Sequence, residues 1–338
     1  MFFDASLDDD TALVGIDRVL REIAGWGAEV RRSCTVAADV LSGIRAGDRP
    51  RAVVAGGPDG RLFRAVLEVS CPVPFVAWPH AGLPGWAGPL DLVIVMCMNG
   101  NLQDEVDVVA EARRRGCTLL VAAPPSSAVR EVSAGRDTIF IPAGSTDATA
   151  VAVPVLAALH SIGLGPAVEA EPVASALDDV AERCGPRVPT DQNPAKELAL
   201  SLADDVPVVW GGSVLAARAA RRVAEVLRAA SGRPVVAGSD TQLVPLLAAA
   251  PRPDVFADPF EDAPTTSRPV LVVLDDGSDD DASAAARARL DDAAGRAEVR
   301  VHEMRAVRGP GIARFAALLA TGRYVAAYLA LGLGRSPY

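Results

Sequence analysis

The chain has 338 residues, half of them apolar, and a formal net charge of −10 at pH 7. That length and apolar share allow two buried cores, while the acidic balance, with no run of Lys or Arg, argues against sequence-independent binding to nucleic acid or an anionic membrane. No stretch of about 18 uninterrupted apolar residues predicts a membrane span, and MFFDASLDDD lacks the basic start of a signal peptide.

Five cysteines (Cys34, Cys71, Cys97, Cys117, Cys184) are odd in number and widely spaced, which fits reduced thiols in a cytoplasm. Three histidines, His80, His160 and His302, stand far apart and leave little for a histidine-based metal site or triad. Lys196 is the only lysine, so lysine chemistry is removed almost everywhere.

In chain order, residues 11–32 place Leu13, Ile16, Val19, Leu20, Ile23 and Val30 on one helical face. Short apolar runs then alternate with helix-like stretches: 51–57, 61–70, 73–78, 90–96, 105–116, 118–124 and 138–144. Continuous apolar strands separated by helices predict a parallel sheet covered on both faces. Residues 147–184 hold two helical stretches, and 191–204 form a helix entered through Asn193-Pro194. The pattern restarts at VPVVWGG (206–212), followed by a helix over 213–231, strands over 233–239 and 268–276, a helix, and a last strand over 297–304. Residues 311–333 read as a helix pair or one bent helix. The implied layout is an N-terminal helical arm (1–48), a first sheet domain (49–160), a helical linker (161–204), a second sheet domain (205–310) and a helical tail (311–338).

The glycine turn AGGPDG, the strand-loop-helix MNGNLQDE, the strand TIFIPAG, the NPAK helix, the unit opening at VVWGGSVLAARAARR and the ending RYVAAYLALGLGRSP keep a recognisable order and spacing. In that order the chain resembles the SIS (sugar isomerase) double-domain family, specifically the bifunctional phosphoglucose/phosphomannose isomerases. The resemblance implies an α/β fold of two doubly wound parallel-sheet SIS-type domains with helical N- and C-terminal extensions, a homodimer and a sugar phosphate as ligand. No cofactor is expected, and the Asp runs at 8–10 and 275–281, without converging ligands, read as solvated helix starts and strand ends rather than a metal site.

It also implies a phosphate clamp, a ring-opening group and a carboxylate base that moves a proton between C1 and C2. The family's first turn resembles GMGGS; here it reads Gly56-Gly57-Pro58-Asp59-Gly60. A carboxylate there repels phosphate, by about 4 kcal/mol for unit charges ~4 Å apart at an effective dielectric near ~20. The second turn resembles SxSGNTEE, but Cys97, Asn99 and Leu102 fill its serine, serine and threonine slots, leaving Gly100, Asn101 and Gln103 with the acidic Asp104-Glu105 pair. The loop is either a residual ligand loop using N–H groups and the Asn99 and Asn101 amides, or a strand-to-helix turn with Gly100 at positive φ and acids at the helix start. The IPxGxxPR arginine is absent, with Asp147 in the segment instead. The HNE stretch is replaced by DVFADPFEDAP (254–264), where Glu261 and Asp262 are the candidate bases, and Lys196 could support them. In the second unit Ser213 caps the helix or meets ligand, and Arg218 reaches a ligand or packs in an interface. Lys196 is otherwise a solvated lysine near a helix start. Three functions fit: a catalytically impaired sugar-phosphate binder, an isomerase with relocated groups, or an interaction protein with a filled cleft.

Overall fold

The computed structural model describes residues 2–45, 47–145, 147–251, 267–278, 280–306 and 308–336. The chain divides into two compact units, one formed by Trp26–Ser175 with Pro310–Ile312, the other by Met1–Gly25, Ala176–Gly309 and Ala313–Tyr338. The N-terminal helix expected over 11–32 is broken into α1 (Asp10–Val14), α2 (Asp17–Ala24) and α3 (Trp26–Gly43), because Gly15 and Gly25 end the first two.

The first unit continues with β1 (Val53–Gly56), α4 (Arg64–Ser70), β2 (Phe75–Trp78), β3 (Leu92–Met96), α5 (Gln103–Arg114), β4 (Thr118–Ala123), α6 (Ala128–Ser133), β5 (Thr138–Pro142) and α7 (Ala148–Ser161). Among the described residues its sheet has five parallel strands in the order β2-β1-β3-β4-β5. The continuous apolar runs predict this: β1 and β3 are buried along their whole length, while the edge strand β2 is half-buried throughout.

After α8 (Ala170–Cys184) come α9 (Pro194–Ser201), β6 (Val206–Gly211), α10 (Val214–Ser231), β7 (Val236–Ala237), α11 (Asp240–Ala248), β8 (Pro269–Asp275), α12 (Asp281–Arg296), β9 (Arg300–Arg305) and α13 (Gly311–Gly332). The second sheet runs β7-β6-β8-β9, again parallel. The strand expected over 233–239 pairs only through Val236 and Ala237, since Gly238 and the capping Ser239 already begin the next helix. Residues 311–332 form one helix rather than a pair. By length and composition α13 could cross a membrane, but 78% of its most apolar window is buried inside the protein, as in a core helix.

On α10, Ala216, Ala219, Ala220, Val223, Ala224 and Leu227 are buried at the spacing of one helical face. Their small size lets neighbours come close; a Cβ on Gly322 of α13 would stand 2.6 Å from Val223. The first residues of the chain belong to this same unit. Phe3 N donates to Gly332 O at 2.7 Å, and the Phe2 ring occupies the space a side chain at Gly332 would need.

Lys196 corrects the expectation of a solvated lysine. It is fully buried, and its ammonium donates to Asp8 Oδ1 at 2.8 Å and to Pro186 O and Val188 O at 2.9 Å each. Three donors meet three acceptors, so the group ties the N-terminal segment to the stretch before α9. Asn193 caps α9 through Ala195 N and Lys196 N, which sets the lysine's first turn.

Candidate functional site

In both sheets the strand order reverses beside the first strand of the unit, and the crevice at such a switch point is where doubly wound sheets hold ligands. In the first unit that crevice lies between the loops after β1 and β3; in the second, between those after β6 and β8.

The first crevice is built by glycines and closed by carboxylates. Gly57 has φ +82°, and a Cβ on Gly60 would meet Ala55 O at 2.6 Å, so the turn after β1 needs both. Gly57 N donates to Trp78 O and Gly60 N to Gly57 O, so the turn spends these donors on itself. Gly56 ends β1 with its Cα side against Val108. Across the crevice Gly100 has φ +75°, and a side chain there would collide with Ser127.

The decisive residue is Glu105 at the start of α5. Its carboxylate accepts from Gly100 N at 2.7 Å, from Leu102 N at 3.3 Å and from Asn99 N at 3.4 Å. Leu102 has no side-chain acceptor for the helix start, so Glu105 supplies the returning half of a capping box alone. The remaining donor, Asn101 N, goes to Asn99 Oδ1, while Asn101 Oδ1 accepts from Ala128 N of α6. The two asparagines therefore hold the loop together. Gln103 bonds Asp107 along the exposed side of α5.

Asp59 is half-buried and lies near enough to Cys97 that its charge adds to that of Glu105; burial first, then Glu105 and Asp59, push the Cys97 thiol far above its ordinary range. A crevice whose N–H groups are occupied by one carboxylate and flanked by another is hostile to a phosphate dianion. Glu105→Ala should cost about 1–2 kcal/mol of stability by baring three backbone donors. Glu105→Gln, which keeps an acceptor, should cost clearly less; urea titration of both variants reads the difference.

Asp147, where the resemblance calls for positive charge, caps α7 through Thr149 N and Ala150 N. Glu261 and Asp262 lie outside the described residues. Lys196 stands in the N-terminal clasp with its protons used.

At the second crevice Ser213 does two jobs. It caps α10 by accepting from Ala216 N at 3.0 Å, and it donates to Asp276 Oδ2 at 2.9 Å. Asp276 is almost wholly buried and also receives Ser278, and Arg314 donates to its carbonyl at 2.5 Å. A cavity of about 510 Å³ opens beside this network, between the starts of α10, α11 and α12. Arg218 is half-buried and is not in its wall; Arg221, one turn further along the exposed side of α10, is. Sequence reasoning alone misses Arg221, Asp240 and Arg289. The S-x-x-Q pattern of Ser239 and Gln242, a capping-box signature, is the available signal for the start of α11.

Residues 191–338 match the model of the bacterial phospho-glucose isomerase C-terminal SIS domain. The chain is 25% identical over 194 residues to a bifunctional phosphoglucose/phosphomannose isomerase of Caldicellulosiruptor bescii, a match covering 54% of this chain and 57% of that protein. The chain thus spans little more than half the length of this curated relative. Among solved structures it is similar to the C-terminal domain of glucosamine-fructose-6-phosphate aminotransferase from Francisella tularensis, with TM-score 0.66, 12% identity, and 94% and 96% of the two chains covered. It is also similar to tagatose-6-phosphate ketose/aldose isomerase from Escherichia coli, with TM-score 0.59, 14% identity, and 95% and 92% covered. Two parallel sheets with matching switch points, and the match of residues 191–338 to a bacterial phosphoglucose isomerase SIS domain, make this chain similar to the SIS sugar isomerases.

Proposed function

We propose that this protein binds a carbohydrate derivative of the sugar-phosphate class and does not carry out the aldose–ketose isomerisation of the enzymes it is similar to. One observation carries the catalytic half of the reading: the Glu105 carboxylate sits on the backbone donors of the loop that would clamp a substrate phosphate. Without that clamp the proton-transfer geometry at C1 and C2 has nothing to fix it. Lys196 offers no free donor to support a base elsewhere. The reading includes a homodimer in the cytoplasm, the assembly the resemblance implies.

Purified protein should interconvert fructose 6-phosphate with glucose or mannose 6-phosphate at far below ~1 s⁻¹. A rate of that order or above would overturn the reading in favour of an isomerase with relocated groups, Glu261 or Asp262 acting as base.

A further inference from the structure

Resting on the reading that the chain binds a carbohydrate derivative, the structure assigns that ligand to the cavity of the second unit and not to the crevice of the first. The volume, about 510 Å³, lies within the range of roughly 300–1,000 Å³ usual for small-molecule sites. Its floor is Trp210, only 5% exposed, whose indole N–H donates to no group among the described residues. With no protein acceptor the N–H is reached by solvent, so an acceptor entering the cavity can take it in place of water.

Charge gives the cavity a direction. Arg289 is held by Asp240 through two bonds to Oδ2, at 2.9 and 2.7 Å, and Asp280 is committed to Ser283 N at the start of α12. Arg221 has no carboxylate partner among the described residues and lines the same space, so its guanidinium is the one open to an anion, while Asp280 keeps its negative charge at the start of α12. The starts of α10 and α11 add their unpaired N–H groups on the side of Val214 and Asp240. The adjoining cavity of about 210 Å³ sets Asp275, Asp276, Asp280 and Glu303 against one arginine, Arg287, a balance that would repel an anion. The ligand is therefore a hydroxylated molecule with one anionic group. The anion meets Arg221 and the helix starts, and the hydroxyls meet the Asp240 carboxylate, the Ser239 hydroxyl and the Trp210 N–H.

The test is calorimetric titration of the whole chain with glucose 6-phosphate, fructose 6-phosphate, inorganic phosphate and glucose. Wild type should bind a sugar phosphate more tightly than either fragment. Arg221→Ala, at an exposed position with no partner to lose, should weaken it at least about tenfold, and Trp210→Phe should weaken it while keeping the ring. Glu105→Gln should leave it unchanged. If a sugar phosphate binds wild type and Arg221→Ala alike, the assignment to this cavity is wrong while the binding reading stands. If no sugar phosphate binds wild type, both fall.

Discussion

Exchanging Lys196 for methionine is expected to lower the unfolding free energy by about 3–5 kcal/mol, seen as a fall in urea midpoint at unchanged slope. Methionine keeps the length of the stem, which runs beside the Tyr328 ring with Nζ 5.5 Å from its centroid, but it donates nothing. Pro186 O and Val188 O would lose their donor, at about 1–3 kcal/mol for each carbonyl left bare. Asp8 contributes less, because its side chain is 52% exposed and solvent screens it. Asp8→Asn should therefore be the milder change, since the two carbonyls still hold the ammonium. Acid should act in the same direction. The hydrogen bond from Lys196, foremost, holds the Asp8 carboxyl below its ordinary range, so its stabilisation is present above that range and is lost as pH falls through the lowered value. A Lys196→Met protein within about 1 kcal/mol of wild type would remove the clasp as a source of stability.

The second large effect is at Gly211, the last residue of β6. A Cβ there would lie 2.3 Å from the carbonyl carbon of Ala216 and 2.4 Å from its oxygen. These are backbone atoms of the first turn of α10, and they cannot swing aside as a side-chain tip can. Gly211→Ala should push α10 off the sheet and cost at least about 3 kcal/mol, at or beyond the upper end of overpacking. Gly295, inside α12 with nothing within 4 Å of the place an alanine Cβ would take, is the matched control. There the alanine should stabilise by about 0.5–1 kcal/mol. Thermal unfolding should separate the two in sign, and equal destabilisation would sink the steric account.

The parts of the fold legible in the sequence are those set by local burial. β3 and β8 announce themselves as continuous apolar runs because both faces of a central strand are covered. β7 is two residues long, and its apolar Val235, Val236 and Ala237 promise more strand than the next helix start allows. The first crevice is half legible. Gly57, Gly60 and Gly100 are readable as backbone requirements, and Asp59 as a charge in the wrong place for phosphate. Glu105 reads only as a favourable acid at a helix start. That its carboxylate turns back onto Gly100 and Asn99 depends on a loop conformation that spacing does not encode. Lys196 escapes for a similar reason: its acceptors come from Asp8, Pro186 and Val188, and nothing near residue 196 signals a partner 188 positions away.

The burial of Lys196 also decides what the folded surface is made of. With the only lysine enclosed, the side-chain positive charge on the exterior is carried by guanidinium groups, which fork onto carboxylates as Arg31 does on Glu171. Amine-directed reagents then find no lysine while the clasp between the first residues and the start of α9 is shut. Acylation of Lys196 becomes a clock for that clasp, running at the rate at which it opens.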